Sequence, residues 1–231
     1  MFTMRANRIG LLALALLPSA TFANLVSNGG FETNTANTGF LNYFGDVPDD
    51  WSTYTDVYAP ATPDVWDNGG VDGNSPGTLS YMSGITAQEG KKWITLGTDK
   101  GGPFSEGLES SAFNLNAATK YTVSLWQLYE TGNGFGRVNP AELTLKLRFG
   151  GATIVLGNLA ENTASETWEK RSINFMVGTS GSYSLIVSNE DLTDKSYIGV
   201  DNVQLNVVPE PASFLALAAG LGLLARRRRK A

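Results

Sequence analysis

In the second half of the chain the hydrophobic positions fall on every second residue. Leu143, Leu145, Leu147 and Phe149 alternate with Glu142, Thr144, Lys146 and Arg148, the period of a strand with one buried and one polar face. Tyr121, Val123 and Leu125 alternate with Thr122, Ser124 and Trp126 in the same way. Ile173, Phe175 and Val177 repeat the pattern, as do Tyr183, Leu185 and Val187, and the run Tyr197, Gly199, Asp201, Val203, Leu205 and Val207 closes it. Trp93 to Leu96 and Gly107 to Leu115 add two more strands, and Gly132-Asn133-Gly134, Gly150-Gly151 and Gly178 to Gly181 supply turns between them. Helical periodicity is almost absent, and no internal repeat is visible. The pattern predicts an all-β fold, an antiparallel β-sandwich of the jelly-roll kind.

Thr33 to Gly90 reads differently. It holds Pro48, Pro60, Pro63 and Pro76, many Asp and Asn residues, and the aromatics Phe40, Tyr43, Phe44, Trp51, Tyr54, Tyr58, Trp66 and Tyr81. A connection of this length is too long to be passive in a compact domain. Two readings stand: short strands hidden in an irregular sequence, or a functional loop region.

The two ends depart from the sandwich pattern. Arg5 and Arg8 precede an apolar run, Ile9 to Leu17, then Pro18 and the small-residue site Thr21-Phe22-Ala23. That order is a secretory signal peptide over residues 1–23, cleaved after Ala23; its apolar run is too short for a membrane span, which needs roughly 20 residues. At the other end Val208-Pro209-Glu210-Pro211 forms an extended hinge. Ala212 to Ala225 is apolar and rich in small residues, a marginal span that predicts a short hydrophobic helix, and Arg226 to Lys230 is a basic cluster held on the cytoplasmic side. The organisation is therefore 1–23 signal peptide, 24–207 β-sandwich domain, and 208–231 sorting and anchor tail.

Charge narrows the function of the middle. The chain has 17 basic and 22 acidic residues. Seven of the basic ones (Arg5, Arg8, Arg226 to Arg229 and Lys230) and the acid Glu210 sit in the ends, leaving the domain at a formal charge of −11. Such a domain repels nucleic acid, which is excluded as a partner, and favours cations or neutral ligands. The sequence has no cysteine and no histidine. Disulfides, thiolate catalysis, Ser-His-Asp chemistry and the usual transition-metal sites are therefore excluded. What remains for catalysis is carboxylate pairs, Lys or Tyr bases and oxygen-ligated metals, and the expectation is a protein that is not an enzyme.

The tail Val208-Pro209-Glu210-Pro211, Ser213, the apolar stretch with Gly220 and Gly222, and the arginine run resemble the PEP-CTERM sorting signal. That resemblance covers the last 24 residues. It implies a Gram-negative host, recognition of Pro209, Glu210 and Pro211 by an exosortase-type membrane peptidase, and transient anchoring in the inner membrane. The destination would be the cell envelope or extracellular matrix, often alongside exopolysaccharide. Three further segments, Asn24 to Glu32, Glu89 to Leu96 and Tyr197 to Val203, together resemble the galactose-binding-like jelly rolls that include several carbohydrate-binding module families. The stretch Thr33 to Gly90 does not match that pattern and is longer than it predicts.

The second resemblance implies a structural calcium ion tying the opening segment to the last strand. Glu32 falls at the opening carboxylate and Asp201 at the last-strand aspartate, with Glu89 and the backbone of Lys91 matching the middle segment. Calcium takes six to eight hard oxygens at about 2.3–2.6 Å, a mixture these residues can offer; the other reading is that Glu32 and Asp201 cap turns. Sugar binding needs flat aromatic surfaces and a few polar groups. Trp126 lies on the polar side of its strand, placed beside Lys146 and Arg148 if their strands are neighbours, and Trp51, Tyr54 and Trp66 on the long loop would wall the groove. The other reading puts these aromatics in the core. Three functions stand: a non-catalytic carbohydrate-binding module for matrix polysaccharide, a structural surface or biofilm protein without a small ligand, and a carboxylate-dependent glycosidase or lyase using a pair such as Asp49-Asp50 or Glu190-Asp191.

Overall fold

A computed structural model of the chain describes residues 23–34, 47–54, 63–67, 84–102, 104–131 and 136–209. The signal peptide, all but Ala23, and the tail from Glu210, with its predicted helix, lie outside the described residues. Among the described residues, eleven strands run in order: β1 Trp51–Thr53, β2 Asp64–Asp67, β3 Lys92–Thr98, β4 Glu106–Ser110, β5 Phe113–Leu115, β6 Lys120–Tyr129, β7 Leu143–Phe149, β8 Ala152–Leu159, β9 Glu169–Met176, β10 Gly181–Asn189 and β11 Ser196–Val207. One sheet has the order β1-β4-β10-β7-β8, with β5 also on β10; the other is β2-β3-β11-β6-β9. Every pairing between named strands is antiparallel. The two-sheet sandwich expected from the alternation is the fold observed.

Alternation becomes a core in the way the pleat requires. Leu143, Leu145 and Leu147 of β7, Leu185 and Val187 of β10, Val123 and Leu125 of β6, and Val200, Val203 and Leu205 of β11 are buried together between the sheets. Each such side chain contributes about 1.5–3 kcal/mol when fully removed from water. Phe31 and Trp51 join them from the N-terminal segment and β1, with ring centroids 5.3 Å apart.

Three local features depart from the sequence reading. Gly107 to Leu115 is not one strand: β4 and β5 pair with successive parts of β10, and Ser110 Oγ fills the break by accepting the Leu185 N–H at 3.0 Å. β8 was not evident from the alternation because Ala152 to Val155 are all exposed and Gly157 interrupts the run at φ 146°. It pairs with β7 across a register shift at Leu145/Lys146. Finally, Thr33 to Gly90 contains two short strands, β1 and β2, so the hidden-strand reading holds for the part that is described.

The N-terminal segment is fastened to β11. Leu25 N–H donates to Leu205 O at 2.9 Å, Val203 N–H to Gly29 O at 2.8 Å, and the Asn24 side chain bonds both Val203 O and Leu205 N–H. A Cβ at Gly29 would overlap the Val203 carbonyl, which is backbone and cannot yield cheaply. Gly29→Ala is therefore expected to cost about 3 kcal/mol or more, a size that overpacking against backbone reaches. Gly178→Ala, with nothing within 4 Å of its Cβ position, should stay within about 1 kcal/mol. Urea unfolding of both variants checks the contrast.

Candidate functional site

The outer face of the first sheet is polar and tightly paired. Tyr54 follows β1, its N–H donating to Gly107 O at 2.9 Å, so it lies on the side that the pleat turns away from the core. Lys146 and Arg148, two residues apart on β7, both sit over its ring, at 5.2 and 5.6 Å from the centroid. Lys146 is ion-paired with Glu190, and Arg148 with Glu109 at 3.0 Å. Ser188 Oγ donates to Glu190 at 2.6 Å and Ser184 Oγ to Glu109 at 2.5 Å. Both cations and both acids are thereby held with little rotamer freedom, as partly buried charges must be. Beside this tier, toward the start of β7, an open cleft of about 580 Å³ is lined by Glu142, Thr144, Asn158, Glu190, Asp191, Leu192 and Thr193. Its walls carry carboxylate, hydroxyl and amide groups. Asn158 Nδ2 donates to Glu142 at 2.9 Å, which aims that amide across the cleft edge.

Of the six residues predicted for sugar contact, the fold brings together three: Tyr54, Lys146 and Arg148. Trp126 is not beside them. β6 and β7 belong to opposite sheets, and the same-face neighbours of Trp126 are Asp201 on β11 and Lys170 on β9. Consecutive strands in a sandwich often switch sheets, which the period of a single strand cannot reveal. Trp51 is 6% exposed, and its indole N–H donates to Asn28 O at 3.0 Å. Trp66 is 2% exposed, stacks on Trp93 at 5.9 Å and donates to Thr95 Oγ1 at 2.9 Å. Both are packing residues rather than a groove wall. Glu109, Ser184, Ser188 and Asn158 were not singled out from the sequence. Ser184 and Ser188 lay in the polar half of an alternation and Glu109 in an expected strand, but which strands are neighbours did not follow from it, and Asn158 lies on β8, which showed no alternation.

A second constellation lies where the opening segment, the loop before β3 and β11 meet. Glu32 Oε1 accepts the N–H groups of Lys91 and Lys92 at 2.7 and 2.8 Å. Asp201 Oδ2 accepts those of Gln88 and Glu89 at 2.8 and 3.0 Å, and Oδ1 that of Asn202 at 2.6 Å. A register shift between Asp201 and Gln204, with Asn202 at φ 48°, turns the Asp201 carboxylate toward the loop, as bulges commonly re-aim a side chain. Asn202 in turn donates to Glu89 at 2.5 Å. The predicted set of Glu32, Glu89, Lys91 and Asp201 is thus gathered at one corner. Burial pushes the Asp201 carboxyl up to about 7, with the charge of Glu32 adding to the rise against three backbone hydrogen bonds. As donors these oxygens suit calcium. As arranged they do not close round an ion: amide N–H groups occupy the carboxylates, and among the described residues no three acidic side chains are grouped to hold a metal.

A third cluster covers the outer face of the second sheet. Trp66, Trp93, Leu128, Tyr197 and Ile85 form a small separate core, with Trp168 edge-on to Trp93 at 5.7 Å. At its border the Tyr197 hydroxyl donates to Asp64, and Glu106 accepts the Gly97 N–H at 2.5 Å. Burial, with the nearby Asp64 charge, raises the Glu106 carboxyl well above the usual range.

Comparison with known proteins bears on the tail and the fold. Residues 207–230 match the PEP-CTERM protein-sorting motif. No curated protein matches the chain. A Stig cyclase from Fischerella sp. TAU, solved with an indole ligand, is similar over 80% of this chain and 97% of that one, at 21% identity and a TM-score of 0.56. An arabinose-bound α-L-arabinofuranosidase is similar over 80% of this chain and 26% of its own, at 15% identity and a TM-score of 0.50. The module CBM61, in complex with β-1,4-galactotriose, matches 80% of this chain and 99% of its own at 17% identity, with a TM-score of 0.45. At these identities the likeness is one of fold. The chain is an exported protein, held transiently in a membrane before processing, in which an antiparallel β-sandwich is followed by a PEP-CTERM protein-sorting motif.

Proposed function

We propose that the protein is a non-catalytic carbohydrate-binding β-sandwich, delivered to the envelope or matrix by an exosortase-type peptidase acting at Pro209-Glu210-Pro211. The observation that carries this reading is the open polar cleft beside the Tyr54–Lys146–Arg148 tier. Its lining offers hydroxyl, amide and carboxylate groups on adjacent strands, the groups that exchange hydrogen bonds with sugar hydroxyls. The tier behind it is ion-paired and supports the cleft as a rigid wall, while Thr144, Asn158 and Thr193, which bond Asn158, Glu142 and Asp191, would exchange into hydrogen bonds with sugar hydroxyls. An uncharged or cationic polysaccharide suits a cleft that contains Glu142, Glu190 and Asp191.

Calcium enters the proposal on donor type alone: Glu32, Glu89 and Asp201 offer the hard oxygens it takes, but an ion would bind there only if Asp201 and Glu32 gave up the amides of Gln88, Glu89, Lys91 and Lys92. No step of sugar binding depends on it.

One observation favours a second reading, an acid catalyst: the raised, buried Glu106 beside Asp64 and the Tyr197 hydroxyl. A carboxyl whose protonated form is favoured by burial can act as a proton donor. Under this reading Glu106→Gln abolishes turnover while the fold persists, since the amide oxygen can still accept the Gly97 N–H.

The first reading predicts binding on a glycan array by the full chain in mild detergent. Asn158→Ala and Thr144→Ala should each weaken it about tenfold, the worth of roughly one lost hydrogen bond, with unchanged unfolding midpoints. An array without hits, or hits indifferent to both variants, would sink the cleft as a sugar site. The acidic corner predicts a pH effect. The folded pKa of Asp201, about 7, exceeds the unfolded value of about 3.9. Between the two the folded state binds more protons, so stability present near pH 4 is lost as the pH rises toward 7. In chelator, thermal unfolding should show that loss, and Asp201→Asn should flatten it. Added calcium should restore stability at the upper end of the range; a midpoint unmoved by calcium would leave the loop held by amides alone.

A further inference from the structure

The two ends of the sandwich differ sharply in charge. At one end lie the β5–β6 turn, the β7–β8 turn, the β9–β10 turn and the exit of β11. Across the described residues of those four segments, 114–120, 149–155, 174–182 and 206–209, Lys120 is the only charged side chain. In a domain of formal charge −11 this is a strong depletion. The acids collect at the opposite end, where Glu142, Glu161, Glu166, Glu190, Asp191 and Asp194 lie on or beside the far turns. Lys100 and Lys195 are also there, ion-paired with Asp194 and Asp99.

Apolar exposure follows the same polarity. The exposed large hydrophobic side chains among the described residues are Ile154, Val155 and Met176, at 44%, 62% and 66%. All three lie on β8 and β9 within a few residues of the charge-depleted turns.

The tail leaves from this end with almost no slack. β11 ends at Val207, and Val208 N–H still donates to Lys120 O at 2.8 Å. The apolar stretch begins at Ala212. The four residues from Pro209 to Ala212 span at most about 14 Å when fully extended. While the tail is in a membrane, the charge-depleted end is therefore held within a short distance of the lipid.

We propose that this end is a membrane-facing surface, resting on the lipid headgroups while the sorting tail holds the chain. The inference rests on the sorting reading of the tail. An anionic leaflet repels acids within a Debye length of about 8 Å and attracts a lysine by about 1 kcal/mol. The four described segments, with Lys120 and no acid among them, meet such a leaflet without repulsion, and Ile154, Val155 and Met176 lose apolar area to the interface. The acidic end is pushed outward, which orients the cleft-bearing side of the β7 start away from the lipid. A second copy of the chain would cover the apolar residues equally well but would not account for the missing acids beside the tail.

The chain has no cysteine, so single-cysteine variants carry unique probes. Thr179→Cys and Ala152→Cys mark the near end; Ala160→Cys and Ala164→Cys mark the far end. Each full-length variant is labelled with bimane and reconstituted into phosphatidylethanolamine–phosphatidylglycerol vesicles containing a headgroup quencher. Near-end probes should be quenched at least about twofold more than far-end probes, because the quencher acts only at short range and the two ends are separated by the length of the strands, at about 3.3 Å per residue. Met176→Asp combined with Lys120→Asp should reduce near-end quenching without changing flotation of the chain with vesicles. Equal quenching at both ends in a chain that floats would overturn the surface while sparing the tail anchor. A chain that does not float removes the anchor and the inference together. Near-end shielding that persists in detergent and grows with protein concentration would assign the surface to a second copy and overturn the lipid assignment.

Discussion

The structure depends on β11 being paired along both of its edges. It bonds β3 on one side and β6 on the other, and it receives the N-terminal segment through Asn24, Leu25 and Gly29. Its inward residues Val200, Val203 and Leu205 lie in the central core. Hence the second sheet cannot close until the last residues before the sorting motif have been delivered. Loop-closure entropy between Asn24 and Leu205 is met only by these late contacts. The hydrogen bond from Val208 N–H to Lys120 O holds the end of β11 directly beside the sorting motif.

The irregularity in that strand links fold to chemistry. A perfectly regular β11 would keep Asp201 in an ordinary ladder. The bulge at Asp201–Gln204 instead frees Val203 N–H for Gly29 and aims the carboxylate at the amides of the loop before β3. One local insertion therefore fixes both the N-terminal segment and the loop that covers Trp93. The cost appears as a carboxyl with a raised pKa, the expected sign when an acid is buried near another.

The outer faces of the two sheets are finished in different ways. The second sheet hides its outer face under an aromatic layer built on Trp66, Trp93 and Trp168. The first keeps a charged tier in which each cation meets an acid and an aromatic ring. The latter borders the open cleft lined by Glu142, Thr144 and Asn158, which places the candidate ligand surface on the first sheet.

The all-β class, most of the strands from β3 onward and the sorting motif were legible in the residues themselves. Strand alternation and a contiguous motif are local signals, carried by neighbours in sequence. β8 was hidden because an edge strand with both faces exposed has no buried period to display, and β1 and β2 were hidden because three or four residues are too few to show one. Sequence also named Tyr54, Lys146 and Arg148, and Glu32 with Asp201, as functional types. It could not decide that Trp126 faces away from Lys146, that Trp51 and Trp66 are packing residues, or that four described segments without an acid meet at the end where the tail leaves. Those facts depend on which strands share a sheet and which turns share an end, and such pairings form between residues far apart in the chain, where only tertiary structure sets the neighbours.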